Sequence, residues 1–222
     1  MEEDKEERTL AAILAAADLK GCRILEIGCG DGRVTAMLAG IPQRLVAVDP
    51  DAGRIKMARH RVADAVFAAA SGENLPFETE SFDTVLFTLS LHHQNSARAL
   101  EEAGRVLEPG GCIVAVEPEP EGEIERICCL VEDESPQLVH AAAAVADTPF
   151  SLACDDRFRT RWVFDDRTEL LNWLFSYYNR PYEREVALKV DQFLGSRTAH
   201  RPLVLHDDLH IIKLEKESHH DR

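Results

Sequence analysis

The run Ile24-Leu25-Glu26-Ile27-Gly28-Cys29-Gly30-Asp31-Gly32 constrains this chain more than any other stretch. A short apolar segment, broken once by a carboxylate, runs into glycine at every second position. A helical pattern over Arg33–Ala39 follows at once. Glycine adopts positive φ without penalty and lets another backbone or a ligand approach closely. Strand, glycine turn and helix in that order open a βα unit, and the first turn of its helix offers unpaired N–H groups to a polar ligand.

The neighbouring sequence repeats this alternation. Strand patterns at Cys22–Ile27, Leu45–Val48, Ala65–Ala69, Phe82–Leu89 and Cys112–Val116 are separated by helical patterns, among them Ala52–Val62 and Ala97–Leu107. Pro109-Gly110-Gly111 stops the last of these helices. Strands alternating with helices imply right-handed crossovers and a parallel sheet covered on both faces. The expected class is therefore α/β. Before this region, a helix is expected over residues 5–18. After it, the spacing predicts a helix from Ile124 to about Val145, interrupted near Pro136, and a strand at Phe158–Phe164. Helices at Thr168–Tyr178 and Glu185–Leu194 and a last strand at Leu209–Leu214 complete the reading.

The spacing also narrows the ligand. Asp49 ends the second strand, 21 residues after Gly28, where a carboxylate can accept hydrogen bonds from both hydroxyls of a ribose. A nicotinamide fingerprint would read GxGxxG. Here the glycines stand at 28, 30 and 32, and Glu26 precedes them. A carboxylate at the strand end repels a pyrophosphate and suits a cationic ligand, such as the amino and sulfonium groups of S-adenosylmethionine.

On these residues the chain resembles the class I S-adenosylmethionine-dependent methyltransferases, and most closely their type 11 group, which includes ubiquinone- and menaquinone-biosynthesis-like enzymes. Leu25–Gly32 resembles the first family motif and Val46-Ala47-Val48-Asp49 the second. Gly72-Glu73-Asn74-Leu75-Pro76-Phe77 with Ser81-Phe82-Asp83 resembles the third, and Arg105–Gly111 the turn before the fifth strand. The likeness covers residues 22–117. It implies a Rossmann-like, doubly wound, seven-stranded and mostly parallel sheet whose last strand is antiparallel, with helices on both faces. It also implies one domain over 1–222, with a cofactor-binding half at 22–117 and a substrate-recognition region at 117–200.

The cofactor implied is S-adenosyl-L-methionine, and the cofactor-binding set is Glu26, Gly28, Cys29, Gly30, Asp49, Pro50, Ser71, Gly72, Glu73, Leu89 and Ser90. Within it Gly28 and Gly30 lie along the methionine portion, Glu26 serves the amino group, and Asp49 holds the ribose. Ser71 stands where many relatives carry an aspartate toward the adenine, which leaves that contact open. His92 and His93 follow the fourth strand. A histidine there can act as a general base at neutral pH, or it can anchor the loop. The acidic run Glu117–Glu125 reads either as a solvated helix start or as a receiver of a cationic substrate.

Eight of the 14 aromatic residues fall between Phe158 and Tyr182. They form a secondary core or the wall of a pocket, with Phe158, Trp162, Trp173, Tyr177 and Tyr178 as the pocket candidates.

A net charge of −15 argues against a partner held by its phosphates, so the expected partner is a small-molecule methyl acceptor rather than nucleic acid. No apolar run approaches the ~20 residues that span a bilayer, and the acidic start Met1–Glu7 lacks the features of a secretory signal. A cytoplasmic location with no membrane insertion is expected. The six cysteines form no CxxC pair, the histidines no ligand set with carboxylates at metal spacing, and no metal is expected. His219 and His220 fall in a polar tail. The alternatives to a small-molecule methyltransferase are a methyltransferase of RNA or protein, and a binding module without turnover on the same fold.

Overall fold

The computed structural model describes residues 1–218; His219 and His220 lie outside them. Among the described residues the strands are β1 (Glu2–Glu3), β2 (Arg23–Ile27), β3 (Arg44–Asp49), β4 (Val66–Ala69), β5 (Phe82–Thr88), β6 (Leu107–Pro118), β7 (Ser151–Phe164) and β8 (Leu203–Glu215). The helices are α1 (Arg8–Ala16), α2 (Arg33–Leu38), α3 (Ala52–Arg61), α4 (Ser96–Val106), α5 (Glu123–Cys128), α6 (Ser135–Ala146), α7 (Arg167–Tyr177) and α8 (Arg184–Leu194). The strands hydrogen-bond in the order β1-β7-β8-β6-β5-β2-β3-β4.

β2 pairs in parallel with β3 on one side and β5 on the other. β4 and β6 extend the parallel block outward. β8 runs antiparallel to β6, because partners descend along one strand as they ascend along the other. Gly110 donates to the Lys216 carbonyl and Glu119 to the Asp208 carbonyl. The last strand is therefore reversed, as expected. The sheet has eight strands rather than seven. The extra one is β1, whose two glutamates pair antiparallel with Trp162 and Val163. Charged residues carry no strand signal of their own, and only this pairing makes them a strand.

The chain divides into two compact units. The larger comprises Thr9–Glu117, Gln137–Asp156 and His210 onward. It holds the parallel block, with Leu25, Ile27, Val46, Val85, Phe87, Leu100, Ile113 and Ala115 in one buried cluster. Ile24–Ile27 are buried without alternation, as a strand covered on both faces requires. Its helices begin on local caps: Asp51 accepts from the N–H groups of Gly53 and Arg54, and Asn95 from that of Arg98. At the amino ends of β2 and β5, Arg23 meets Asp83 through two side-chain bonds of 3.0 and 2.7 Å and reaches Glu108 at 2.5 Å.

The smaller unit comprises Met1–Arg8, Pro118–Pro136 and Arg157–Leu209. Its core joins Ile124, Ile127, Trp162, Phe164, Leu170, Leu174, Val190 and Leu203. The helix expected from Ile124 to Val145 is two helices, α5 and α6. Pro136 sits in the first turn of α6, where its missing N–H breaks no helical bond. Trp162 and Trp173 meet edge to face at 4.9 Å, and Phe164 lies 5.8 Å from Trp173. Trp162 is 6% exposed, whereas Tyr177 is 46% exposed. No helix among the described residues is long and apolar enough to cross a membrane.

Candidate functional site

The order of strands reverses direction at β2, since the chain adds β3 on one side of it and later β5 on the other. In an open α/β sheet the two outgoing loops part at such a point and leave a crevice beyond the carboxyl ends of the strands. The residues singled out in the sequence collect at this place.

The glycine turn follows β2. Gly28, Gly30 and Gly32 all have positive φ, at 76°, 56° and 84°. At Gly28 there is a second constraint, because an added Cβ would collide with the Cβ of Ser90, just beyond β5. The two loops leaving β2 and β5 therefore touch through glycine. The turn is pinned to β3 by the N–H groups of Gly28 and Cys29, which donate to the Val48 carbonyl at 2.8 and 3.0 Å. The Cys29 side chain points into a cluster with Ala47, Ile55 and Ala58. Burial pushes its thiol far up, so the thiol is unreactive and Cys29 has only its backbone to offer. A Cβ on Gly30 would meet nothing closer than the Arg54 guanidinium at 3.9 Å, so the backbone here borders open space.

Asp49 ends β3, 6% exposed. One of its oxygens accepts the Gly30 N–H at 2.9 Å and the other accepts the Asp51 N–H at 2.9 Å. The carboxylate thus fixes the glycine turn and the start of α3 together. A carboxylate offers about four lone-pair sites, and these two bonds leave capacity for ligand hydroxyls. Pro50, next to it, is exposed.

Glu26 is fully buried. Its carboxyl accepts from the Thr35 hydroxyl at 2.5 Å and from the Thr88 hydroxyl at 3.0 Å. Burial raises its pKa to about 7, against the opposing effect of the two hydroxyls. A cation brought near would favour the ionised form.

The loop after β4 carries Ser71, Gly72 and Glu73. The Ser71 hydroxyl accepts the Glu73 N–H at 3.3 Å, and Glu73 accepts the Asn95 N–H at 2.8 Å. Glu73 therefore anchors the entry to α4. Gly72 lies where a Cβ would strike Gln94 and Ile27, which ties this loop to the other two.

Leu89 leaves β5 at φ 55°, a left-handed conformation that costs a branched residue energy. It redirects the chain so that Ser90 faces the glycine turn, where its hydroxyl donates to the Ile27 carbonyl at 2.6 Å. His92 is buried at 4% exposure and bonds through Nδ1 to Glu117. His93 is exposed as a residue, and its ring lies 3.9 Å from that of His92. The protein crowding this ring, and then His92 beside it, hold the His93 imidazole below its ordinary pKa.

Glu117 was legible only as the first residue of an acidic run. It is the second-last residue of β6, with 7% exposure. It accepts the backbone N–H groups of Ser90, Leu91 and His92 at 3.2, 3.0 and 3.2 Å in addition to the His92 ring. It belongs to the site and not to a solvated surface. Spacing alone could not reveal this, because its partners lie 25 to 27 residues away in sequence.

The glycine turn, Asp49 and the post-β5 loop fit a nucleoside ligand with a cationic arm: an open glycine backbone, a carboxylate with spare acceptor sites, and a buried carboxyl poised near neutrality. Residues 25–115 match a family model described as a methyltransferase domain. Over 112 residues the chain is 38% identical to a demethylmenaquinone methyltransferase of Clavibacter sepedonicus, covering 49% of this chain and 46% of that protein. Over 112 residues it is 37% identical to phthiotriol/phenolphthiotriol dimycocerosates methyltransferase 1 of Mycobacterium ulcerans, covering 48% of this chain and 41% of that one. The matched segment thus spans less than half of either relative. The YcgJ protein of Bacillus subtilis shares the fold, with a TM-score of 0.64 at 16% identity over 95% of this chain and 99% of that one.

Proposed function

From the premise that residues 25–115 form a methyltransferase domain, we propose that the protein is an S-adenosylmethionine-dependent methyltransferase acting on a small molecule. The observation that carries this reading is the Gly30–Asp49 bond at the strand-order reversal. That bond sets a carboxylate with spare acceptor sites beside an open glycine backbone, which supports a ribose contact there. Asp49 would hold the ribose hydroxyls, the backbone of Gly28, Cys29 and Gly30 would lie along the methionine portion, and Glu26 would answer its amino group across the turn. Pro50, Ser71, Gly72, Glu73, Leu89 and Ser90 would line the remainder. The bound donor supplies a methyl group on a sulfonium, whose leaving group is already activated.

The protein's part is then chiefly to hold donor and acceptor in line away from water, and positioning of that kind contributes on the order of 7–11 kcal/mol. We assign acceptor choice chiefly to residues 117–200, which lie outside the matched segment. Both curated relatives are named for small-molecule acceptors, and the net charge of −15 opposes a nucleic-acid partner.

The test is incubation with S-adenosylmethionine and reduced demethylmenaquinone, followed by mass spectrometry. S-adenosylhomocysteine together with an acceptor heavier by one methylene supports the reading. Donor bound but never consumed across a broad panel of quinols, phenols and alcohols would replace it with a binding module.

A further inference from the structure

Arg54 has a role in this crevice that rests on the methyltransferase reading above. α3 carries three arginines, and two of them have partners. Arg59 donates to the Phe67 carbonyl at 2.8 Å, and Arg61 pairs with Asp31 at 2.8 Å. Arg54 is exposed, and among the described residues its guanidinium meets no acceptor. The neighbouring acids are engaged with backbone: Asp49 with the N–H groups of Gly30 and Asp51, and Asp51 with those of Gly53 and Arg54.

The guanidinium reaches from α3 to the glycine turn. Its Nη1 lies 3.9 Å from the point where a Cβ on Gly30 would stand, and nothing else comes within 4 Å of that point. Its charge is also felt in the loop after β5. Crowding by the protein lowers the His93 pKa first and the neighbouring His92 second, and Arg54 adds to both. A cation without an acceptor among the described residues thus stands over open backbone, at the place given above to the methionine portion of the donor.

S-adenosylmethionine brings two positive groups, the sulfonium and the amino group, and one negative group, the α-carboxylate. A guanidinium stays charged at every accessible pH, and its donors form a fork that matches a carboxylate. Beside the sulfonium or the amino group Arg54 would repel the ligand. Beside the carboxylate it gains charge-assisted hydrogen bonds, which are the strong ones. We propose that Arg54 binds the α-carboxylate of S-adenosylmethionine, and so selects a donor with an intact amino-acid end over one that lacks the carboxylate. Glu26 and Arg54 then divide that end between them, the buried carboxyl answering the amino group and the exposed guanidinium the carboxylate. S-adenosylhomocysteine keeps both groups, so Arg54 holds the product as well.

The test is calorimetric titration of wild type, Arg54→Gln and Arg54→Lys with S-adenosylmethionine and with decarboxylated S-adenosylmethionine. The second ligand keeps the adenine, ribose, sulfonium and amino group and lacks only the carboxylate. Wild type should bind S-adenosylmethionine about tenfold or more tighter than the decarboxylated ligand, the scale of hydrogen bonds to a charged group. Arg54→Gln should weaken S-adenosylmethionine about tenfold and leave the decarboxylated ligand unchanged or tighter, because a repelling charge is gone. Arg54→Lys keeps the charge without the fork and should fall between. The quantity that decides is the ratio of the two dissociation constants. A ratio that falls less than about threefold from wild type to Arg54→Gln overturns the inference, even if both affinities drop together, as they would if the guanidinium stacked on the adenine. A folded wild type that binds neither ligand would instead sink the S-adenosylmethionine reading and this inference with it.

Discussion

Glu26→Gln isolates the one fully buried carboxyl at the site. Glutamine keeps the shape, its oxygen can accept from one threonine hydroxyl, and its amide can donate to the other. What it removes is a titration. The Glu26 pKa rises to about 7 in the folded protein, against about 4.3 for a carboxyl in the unfolded chain. Below pH ~4.3 both states hold the proton, and Glu26 does not tilt the stability. Between there and pH ~7 the unfolded chain releases the proton while the folded protein keeps it, so stability falls as pH rises. Above pH ~7 both states are ionised and the loss levels off at roughly 3–4 kcal/mol.

His93 works in the opposite sense. Its folded pKa is lowered, so it adds stability with rising pH through the acid range and partly masks Glu26 in the wild type. Subtracting the variant's curve from the wild type's cancels that contribution. Urea unfolding followed by circular dichroism at pH 5, 6, 7 and 8 should show Glu26→Gln gaining about 2–3 kcal/mol on the wild type across that range. A gap constant to within about 0.5 kcal/mol would refute the reasoning, since the carboxyl would then titrate alike in both states.

Two further predictions concern packing. Gly28→Ala combines a positive-φ penalty with a collision against Ser90, and should cost roughly 2–4 kcal/mol in thermal or urea unfolding. In a Ser90→Gly background the collision disappears, and the cost of Gly28→Ala should drop by about 1–3 kcal/mol; equal costs in both backgrounds would show that the two loops do not touch. Trp162→Ala should cost on the order of 3–5 kcal/mol, because Trp162 is a core residue of the smaller unit. Tyr177→Ala should cost about 1 kcal/mol or less, and matching losses in calorimetry would contradict these placements.

Much of the crevice was legible in sequence because it is local. Gly28, Gly30, Asp49 and the helix between them lie in one βαβ unit, where the spacing itself encodes the geometry. The parallel strands were equally plain, since burial on both faces gives an unbroken apolar run such as Val85–Phe87. The misses have the opposite character. Residues 151–157 of β7 are mostly exposed and polar, and only backbone pairing makes them strand. Leu203, Leu205, Asp207 and Leu209 bury every second residue along β8, a period-two signal that Asp207 obscures. Glu117 read only as part of an acidic run, either a solvated helix start or a receiver of a cationic substrate, because the three N–H groups and the imidazole that bury it arrive from a distant loop. The aromatic cluster at 158–182 showed that a hydrophobic assembly exists. Its sequence could not say that Trp162 and Phe164 face inward while Tyr177 faces out.

The most direct test of the central claim is calorimetric titration of wild type and Asp49→Ala with S-adenosylmethionine and, separately, with NAD, with thermal unfolding of each protein as the control for the Gly30 and Asp51 bonds that Asp49 makes. The account predicts micromolar binding of S-adenosylmethionine alone, weakened at least about tenfold, or ~1.4 kcal/mol, in a variant that remains folded. A folded wild type that ignores S-adenosylmethionine, or that binds NAD in its place, would contradict it.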